Sequence, residues 1–253
     1  MKISVITPSL NQARFIERTI RSVLDQRGDF ELEYLVVDGG STDGTLEVLR
    51  RYGPRLTWIS EPDQGQSDAI NKGFRMASGD MVAWLNSDDV YEPGALAAVA
   101  VEWAREPFGW LFGDCRVIDE ENREIRPFIT RYKIRQSRRY SYRRLLRRDF
   151  VSQPAVFLSR KLVEEMGPVD TRLHYAMDYD YWLRAAQRCA PRYLPRFLAG
   201  FRVHAESKNS RWYRAAAWEA CQVARRHATS RERLDVAFHY LHYLTLSVLY
   251  RFI

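Results

Sequence analysis

The chain has 253 residues, of which 46% are hydrophobic and 28% are charged. This composition excludes an intrinsically disordered chain, and the length suits one large α/β domain with a short appendage. The formal net charge of +7 favours a polyanionic partner, which is a nucleic acid, an anionic membrane or a phosphorylated small molecule. Three cysteines without close spacing favour neither a disulfide framework nor a zinc site, and we expect a cytoplasmic protein.

The first 119 residues alternate short β-rich runs with amphipathic helical patterns. The run Ile3–Ile6 predicts a first strand and not a signal peptide, because no small-residue cleavage site follows it. Further strands are predicted at Tyr34–Val37, Leu56–Ile59 and Met81–Leu85, each followed by a helical pattern. Strands that alternate with helices predict a doubly wound, mostly parallel sheet flanked by helices.

The pattern changes after residue 120. Residues 131–148 contain nine Lys or Arg among eighteen, and we expect a mobile or helical basic excursion over about 120–150. One more strand is predicted at Ala155–Leu158, then a helix around Trp182 and two helical stretches from about Arg211. We therefore predict one α/β domain over 1–205 and a C-terminal helical segment over 206–253, which is too interrupted by polar residues to span a membrane.

Polar residues stand at the ends of the first four predicted strands, where doubly wound sheets bind ligands. The four strand ends read Thr7-Pro8-Ser9, Asp38-Gly39-Gly40-Ser41, Glu61-Pro62-Asp63 and Asn86-Ser87-Asp88-Asp89. Each has a structural explanation, since turns and helix caps also use Asp, Asn, Ser and Gly. Their convergence on one rim nevertheless favours a binding site.

Two common devices for binding a nucleotide diphosphate are absent from the sequence. No GxGxxG motif follows the first strand, and there is no P-loop motif, which disfavours dehydrogenase and P-loop readings. The remaining device is a divalent cation held by carboxylates. The turn Asn86–Asp89 offers the oxygen ligands for such an ion, which would act as a Lewis acid on a departing diphosphate.

Four blocks of the sequence together resemble the family 2 glycosyltransferases with the GT-A fold. They are ISVITPSLNQARFIERTIRSVLDQ, YLVVDGGSTDGT, EPDQGQSDAINKGFRMASGDMVAWLNSDD and GPVDTRLHYAMDYDYWLRAA, and the resemblance runs from about Ile3 to His204. It implies transfer of a sugar, with inversion, from a nucleotide-sugar such as a UDP-hexose to a hydroxyl of a lipid-linked or saccharide acceptor. It also implies Mn²⁺ or Mg²⁺ as cofactor and a role in surface polysaccharide or glycolipid biosynthesis.

The resemblance also implies roles for individual residues. Nucleotide-sugar contacts fall on Thr7, Pro8, Ser9, Asp38, Asp63, Asp68, Asn86 and Ser87, and metal contacts fall on Asp88 and His204. For His204, an ordinary core or surface histidine is an equal alternative. An acidic pair near the acceptor falls on Met177-Asp178, so Asp178 is the expected general base. Asp180 is a competing carboxylate, and either aspartate fits the first turn of a helix.

Three departures from the family pattern affect these expectations. Asn86 replaces the first acid of the usual metal motif, so the ion should depend more heavily on Asp88. Met177 replaces the glutamate of the acidic pair. Ile70 stands where many relatives have an arginine, and Asp68 where they often have a small residue, which leaves the diphosphate contacts and the donor open.

Two other functions compete with the transferase reading. A sugar nucleotidyltransferase would carry a glycine-rich loop where this chain has Thr7–Asn11. A non-catalytic sugar- or nucleic-acid-binding protein would use the basic stretch on phosphates but leaves the acidic rim unexplained, and we expect no nucleic-acid partner. We expect the basic stretch and the tail from Leu234 to Ile253 to hold the protein at the inner face of a membrane. The equal alternative is that the tail helix packs on the catalytic domain or on a second subunit, so a homodimer stays open.

Overall fold

The computed structural model describes residues 1–205 and 212–249, without the side chains of 213 and 242–249. The strands are β1 (Lys2–Ser9), β2 (Glu31–Asp38), β3 (Thr57–Ser60), β4 (Met81–Trp84), β5 (Val90–Tyr91), β6 (Trp110–Ile118), β7 (Val156–Ser159) and β8 (Arg192–Arg202). The helices are α1 (Ile16–Leu24), α2 (Thr45–Tyr52), α3 (Gln66–Met76), α4 (Ala95–Arg105), α5 (Pro127–Ser137), α6 (Tyr142–Arg147), α7 (Arg160–Met166), α8 (Met177–Arg188), α9 (Tyr213–His227) and α10 (Arg233–Leu249). Among these helices, none is long and apolar enough to cross a bilayer.

All eight strands form one sheet in the order β3-β2-β1-β4-β7-β6-β8-β5. β1 pairs in parallel with β2 and β4, and β2 pairs in parallel with β3, so these four strands end at the same edge. β7 runs antiparallel to β4 and β6, β8 runs parallel to β6, and β5 runs antiparallel to β8. The predicted α/β fold with a mostly parallel sheet is confirmed. Strands β6 and β8, which the sequence did not single out, extend it.

Helices cover both faces of the sheet. On one face Ile6 and Trp84 pack with Ile70 of α3 and Trp182 of α8. On the other face residues adjacent to them in the strands, such as Val5, pack with helices α1, α2 and α4. Because side chains alternate across a strand, burial on both faces requires apolar residues at consecutive positions. This explains the continuous apolar runs from which the strands were predicted.

The basic stretch folds into helices α5 and α6, and part of it anchors the C-terminal segment. Asp235 of α10 has a fully buried side chain, and it accepts hydrogen bonds from Nε of Arg143 at 2.8 Å and Nε of Arg147 at 2.5 Å. His239 Nδ1 lies 2.9 Å from the carbonyl oxygen of Leu146. Helix α10 therefore packs on α6. The predicted domain boundary at 205–206 adjoins residues 206–211, which lie outside the described residues, as do 250–253 at the end of the tail.

Candidate functional site

A cleft of about 310 Å³ opens at the edge of the sheet where β1 and β4 end. Eight of the residues expected at a binding site line it, namely Pro8, Ser9, Asp63, Asn86, Ser87, Asp88, Asp178 and His204. They come from five separate parts of the chain, and the parallel strands β1, β3 and β4 bring three of these parts together at their ends. Thr7, Asp38 and Asp68 do not line the cleft.

The turn that carries Asp88 is held by two residues from other elements. Arg202, the last residue of β8, is buried; its Nε donates to the carbonyl oxygen of Asp88 at 2.6 Å, and its backbone N–H donates to Asp89 Oδ1 at 2.8 Å. The hydroxyl of Thr19 lies 2.9 Å from the Ser87 carbonyl and 2.7 Å from the Asp89 carbonyl. Because these bonds use the backbone of the turn and the Asp89 carboxyl, the Asp88 carboxylate is left to face the cleft.

The two residues expected to bind metal lie side by side. His204 Nε2 is 3.0 Å from Asp88 Oδ2, and the buried imidazole packs against the ring of Phe15 at 4.7 Å between centroids. A carboxylate and an imidazole suit a first-row divalent ion such as Mn²⁺. Over residues 1–205 and 212–249, no group of three His, Cys, Asp or Glu side chains could hold an ion alone. A cation at this pair would therefore need further ligands from a bound molecule or water.

The side chains of Asp89 and Asn86, two other polar residues of this turn, are hydrogen-bonded within the protein. Asp89 is fully buried, and burial together with the neighbouring Asp88 raises its pKa well above the ordinary value. Asn86 accepts a hydrogen bond at its Oδ1 from Nε2 of Gln66, the first residue of α3, at 2.7 Å. The amide at the position of the family's first acid is thus tied to α3. That an ion would depend mainly on Asp88 stays a prediction.

Asp38 holds the loop after β2, next to Asp63 of the cleft. Its fully buried carboxylate accepts hydrogen bonds from the backbone N–H groups of Gly40 and Ser41 and from the hydroxyls of Ser41 and Ser60. These bonds fix the loop after β2. A Cβ at Gly39 would lie 2.5 Å from Asp63 Oδ2, so only glycine lets Asp63 approach this loop so closely.

Thr7 and Asp68 are likewise engaged elsewhere. The buried Thr7 hydroxyl lies 3.0 Å from the Tyr34 hydroxyl, inside the sheet. Asp68 accepts a hydrogen bond from the backbone N–H of Gln64 at 3.2 Å and lies 3.7 Å from Lys72 Nζ. Both side chains support the elements around the cleft and do not form its walls.

The opposite wall of the cleft begins at the N-terminus of α8. Asp178 is partly buried there, and its Oδ1 accepts a hydrogen bond from the backbone N–H of Tyr179 at 2.8 Å. Burial raises the pKa of this carboxyl. Asp180 lies away from the cleft, where it bonds His227 Nε2 at 2.7 Å and Arg184 Nε at 3.0 Å. Of the two competing aspartates, Asp178 alone lines the cleft.

Sequence reasoning missed Gln153, which also lines the cleft. Its Nε2 donates to the carbonyl oxygen of Trp84 at 2.6 Å, while its Oε1 is buried and has no hydrogen-bond partner in the described part of the chain. Ser9 Oγ is likewise buried and has no hydrogen-bond partner among the described residues. Buried polar atoms without partners are rare, so these two atoms are suited to contact a polar ligand. Neither hydrophobic periodicity nor a motif distinguishes a glutamine in a turn before a strand, so the sequence could not identify Gln153 as a site residue.

Solved structures with the same fold include two nucleotide complexes. The S. aureus TarS fragment solved with UDP is similar over 88% of this chain and 65% of its own length, with a TM-score of 0.65 and 19% identity. The mannosyltransferase PcManGT from Pyrobaculum calidifontis, solved with GDP-Man and Mn²⁺, is similar over 89% of this chain and 62% of its own length, with a TM-score of 0.63 and 24% identity. This chain therefore spans less than two thirds of either structure, and the likeness is one of fold.

Closer relatives share the sequence itself. An uncharacterized glycosyltransferase of Mycobacterium tuberculosis is 34% identical over 195 residues, which cover 75% of this chain and 70% of that protein. A PGL/p-HBAD biosynthesis glycosyltransferase of Mycobacterium bovis is 32% identical over 188 residues, which cover 72% and 68%. The family described as glycosyl transferase family 2 matches residues 4–167. With the fold, the cleft and these matches in agreement, the chain belongs to glycosyl transferase family 2.

Proposed function

We propose that this glycosyltransferase moves a sugar from a nucleotide-diphosphate sugar to an acceptor hydroxyl with inversion, assisted by a divalent cation. The observation that carries the proposal is that one cleft is lined both by the Asp88–His204 pair and by Asp178. The first is suited to the diphosphate and the second to the acceptor. A nucleotidyltransferase or a non-catalytic binding protein would leave the Asp178 carboxylate without a role.

The donor is a nucleotide-sugar, and a UDP-hexose is the first candidate. Pro8, Ser9 and Asp63 would contact the nucleoside, and Asn86 with Ser87 would contact the ribose and diphosphate, since these residues line one side of the cleft. TarS has been solved with UDP and with UDP-GlcNAc, and PcManGT with GDP-Man, which supports this class of donor. The acceptor is a lipid-linked or saccharide hydroxyl of a glycan under synthesis.

Asp88 and His204 would hold the cation, Mn²⁺ or Mg²⁺. When bound, the ion supplies positive charge that stabilises the departing diphosphate. The contribution of the protein is to keep the two ligands in place: Arg202 fixes the turn of Asp88, and Phe15 packs against the His204 ring. Because Asn86 offers an amide, the negative charge of the site rests on Asp88.

Asp178 would act as the general base. Its Oδ1 is engaged by the backbone of α8, so Oδ2 is the atom that would take the proton from the acceptor hydroxyl. As the proton leaves, the acceptor oxygen bonds C1 of the sugar while the bond from C1 to the diphosphate oxygen breaks. Attack opposite the leaving group inverts the anomeric carbon. A carboxylate whose pKa is raised by burial is a stronger base than an ordinary aspartate.

Replacing Asp88 tests the cation site. We expect Asp88→Ala to abolish the Mn²⁺-dependent part of UDP binding, because the remaining imidazole carries no negative charge. Isothermal titration of UDP with and without Mn²⁺ measures this, with Asp29→Ala, an exposed aspartate outside the cleft, as the matched control. Metal-dependent binding of UDP that is the same in Asp88→Ala and the wild type would contradict the assignment.

Replacing Asp178 tests the base. We expect Asp178→Asn to leave donor affinity nearly intact but to lower kcat by roughly 100-fold or more, the scale of general-base catalysis. Since the base must be deprotonated, wild-type kcat/KM should rise with pH, and the raised pKa puts that rise above the pH at which an ordinary aspartate ionises. Steady-state kinetics of Asp178→Asn and Asp180→Asn determine which of the two aspartates is the base. A larger loss in Asp180→Asn would mean that the wrong carboxylate has been chosen.

We also propose a peripheral contact with the inner face of an anionic membrane. A shallow surface depression is bordered by three residues of α5 and two that follow it, namely Arg131, Ile134, Arg135, Arg138 and Arg139. Its four arginines make no direct ion pair with a carboxylate of the described residues. Exposed Phe128 lies on the same helix. Each arginine near an anionic leaflet contributes about 1 kcal/mol. Arg143 and Arg147 contribute less than the sequence suggested, because they pair with Asp235.

Charge reversal at arginines on and just after α5 tests this contact. Wild-type protein should pellet with phosphatidylserine vesicles at low salt, and the triple variant Arg131→Glu, Arg135→Glu, Arg139→Glu should not, because the attraction to the anionic surface is lost. The matched control reverses Arg50, Arg51 and Arg55, which are exposed on and after α2. Pelleting that is equal in both triple variants and the wild type would rule the contact out, and so would binding of the wild type to nucleic acid alone.

A further inference from the structure

One carboxylate of the C-terminal segment is bonded to the backbone beside the cleft. Glu219, in the middle of α9, accepts three hydrogen bonds from consecutive N–H groups. Its Oε1 lies 2.8 Å from the nitrogen of His174, and its Oε2 lies 2.6 Å from that of Tyr175 and 3.0 Å from that of Ala176. Hydrogen bonds from N–H groups to a carboxylate are about twice as strong as neutral ones.

These three residues immediately precede α8. The first N–H groups of a helix and of the chain entering it lack partners within the helix, and a side chain at the N-cap commonly supplies one. The N-cap residue here is Ala176, which has no side-chain acceptor. Glu219, on a different helix, instead accepts hydrogen bonds from the N–H groups of Ala176 and of the two residues before it.

The bonded segment forms the acceptor side of the cleft. His174 and Tyr175 line the cleft directly, and Met177 and Asp178 follow within two residues. The position of the Asp178 carboxylate is therefore set by the backbone that Glu219 holds. A shift of this backbone would move the proposed base and the wall of the acceptor site together.

A second set of contacts fixes α9 itself against the same region. Arg226 pairs with Asp170 at 3.1 Å, and His227 Nε2 lies 2.7 Å from Asp180 Oδ1. Glu219, Arg226 and His227 recur on one face of the helix, and the fully buried Val223 lies between them on that face. Helix α9 thus docks on α8 and on the segment before it at two points.

We propose that Glu219 is a positioning residue for catalysis: it holds residues 174–176 so that Asp178 faces the acceptor. The inference rests on the proposed role of Asp178 as base. A residue that merely capped the helix would contribute stability alone, of the order of 1 kcal/mol. A positioning residue also changes turnover, because a displacement of 1 Å at a reacting group can cost about 100-fold in rate.

Two variants of Glu219 test the proposal in the full chain. Glu219→Gln keeps the shape and one acceptor oxygen but loses the charge, and Glu219→Ala removes all three bonds. We expect kcat to fall and the acceptor KM to rise, by about 10- to 100-fold in kcat for Glu219→Ala and less for Glu219→Gln, while the dissociation constant of UDP with Mn²⁺ stays at its wild-type value. Unchanged UDP binding also demonstrates that each variant is folded.

The matched control is Glu232→Gln in the same segment, since among the described residues the Glu232 carboxylate hydrogen-bonds only to the neighbouring Thr229, and this variant should keep wild-type kinetics. In the double variant with Asp178→Asn, the Glu219 substitution should add little further loss, because both act through one group. Wild-type kcat in both Glu219 variants beside an inactive Asp178→Asn would overturn this inference alone. Full turnover in Asp178→Asn would overturn the proposed base, and this inference with it.

Discussion

The buried guanidinium of Arg202 is the constraint on which the cleft depends. A charge removed from water is costly unless its hydrogen bonds are satisfied. Here Nε donates to the Asp88 carbonyl, one terminal nitrogen to the Asp119 carbonyl and the other to Asn122 Oδ1. The side chain therefore joins the turn after β4 to the turn after β6. Because Arg202 ends β8, the same strand delivers His204 to the Asp88 carboxylate, so residues far apart in sequence meet at one point of the sheet edge.

The cleft has two sides that are built by different means. The side that we assign to the donor follows from the parallel strands, whose ends bring Ser9, Asp63 and Asp88 together. The side that we assign to the acceptor comes from α8 and from α9, which holds the segment before α8. Both helices lie outside residues 4–167, the part of the chain that matches the family model.

Much of the fold and part of the site followed from the sequence for a clear physical reason. Strands buried on both faces appear in the sequence as continuous apolar runs. The polar residues at their carboxyl ends mark the edge of the sheet where ligands bind, and Asp88 was predicted as a site residue in this way. The same logic could not separate residues that line the cleft from those that support it. Asp38 is a polar strand end, yet its carboxylate is used by its own loop. Contacts between distant segments of the chain determine the roles of Gln153, Arg202 and Glu219. Such contacts cannot be predicted from hydrophobic periodicity or from motif spacing.

The most direct measurement is electron spin-echo spectroscopy of Mn²⁺ bound to the protein together with UDP. In the proposed site, a cation at the edge of the sheet would contact both the Asp88–His204 pair and the diphosphate. We predict coupling of the manganese electron spin both to phosphorus of UDP and to an imidazole nitrogen, with the nitrogen coupling lost in His204→Gln. Manganese that couples to phosphorus but shows no nitrogen coupling in the wild-type protein would contradict it.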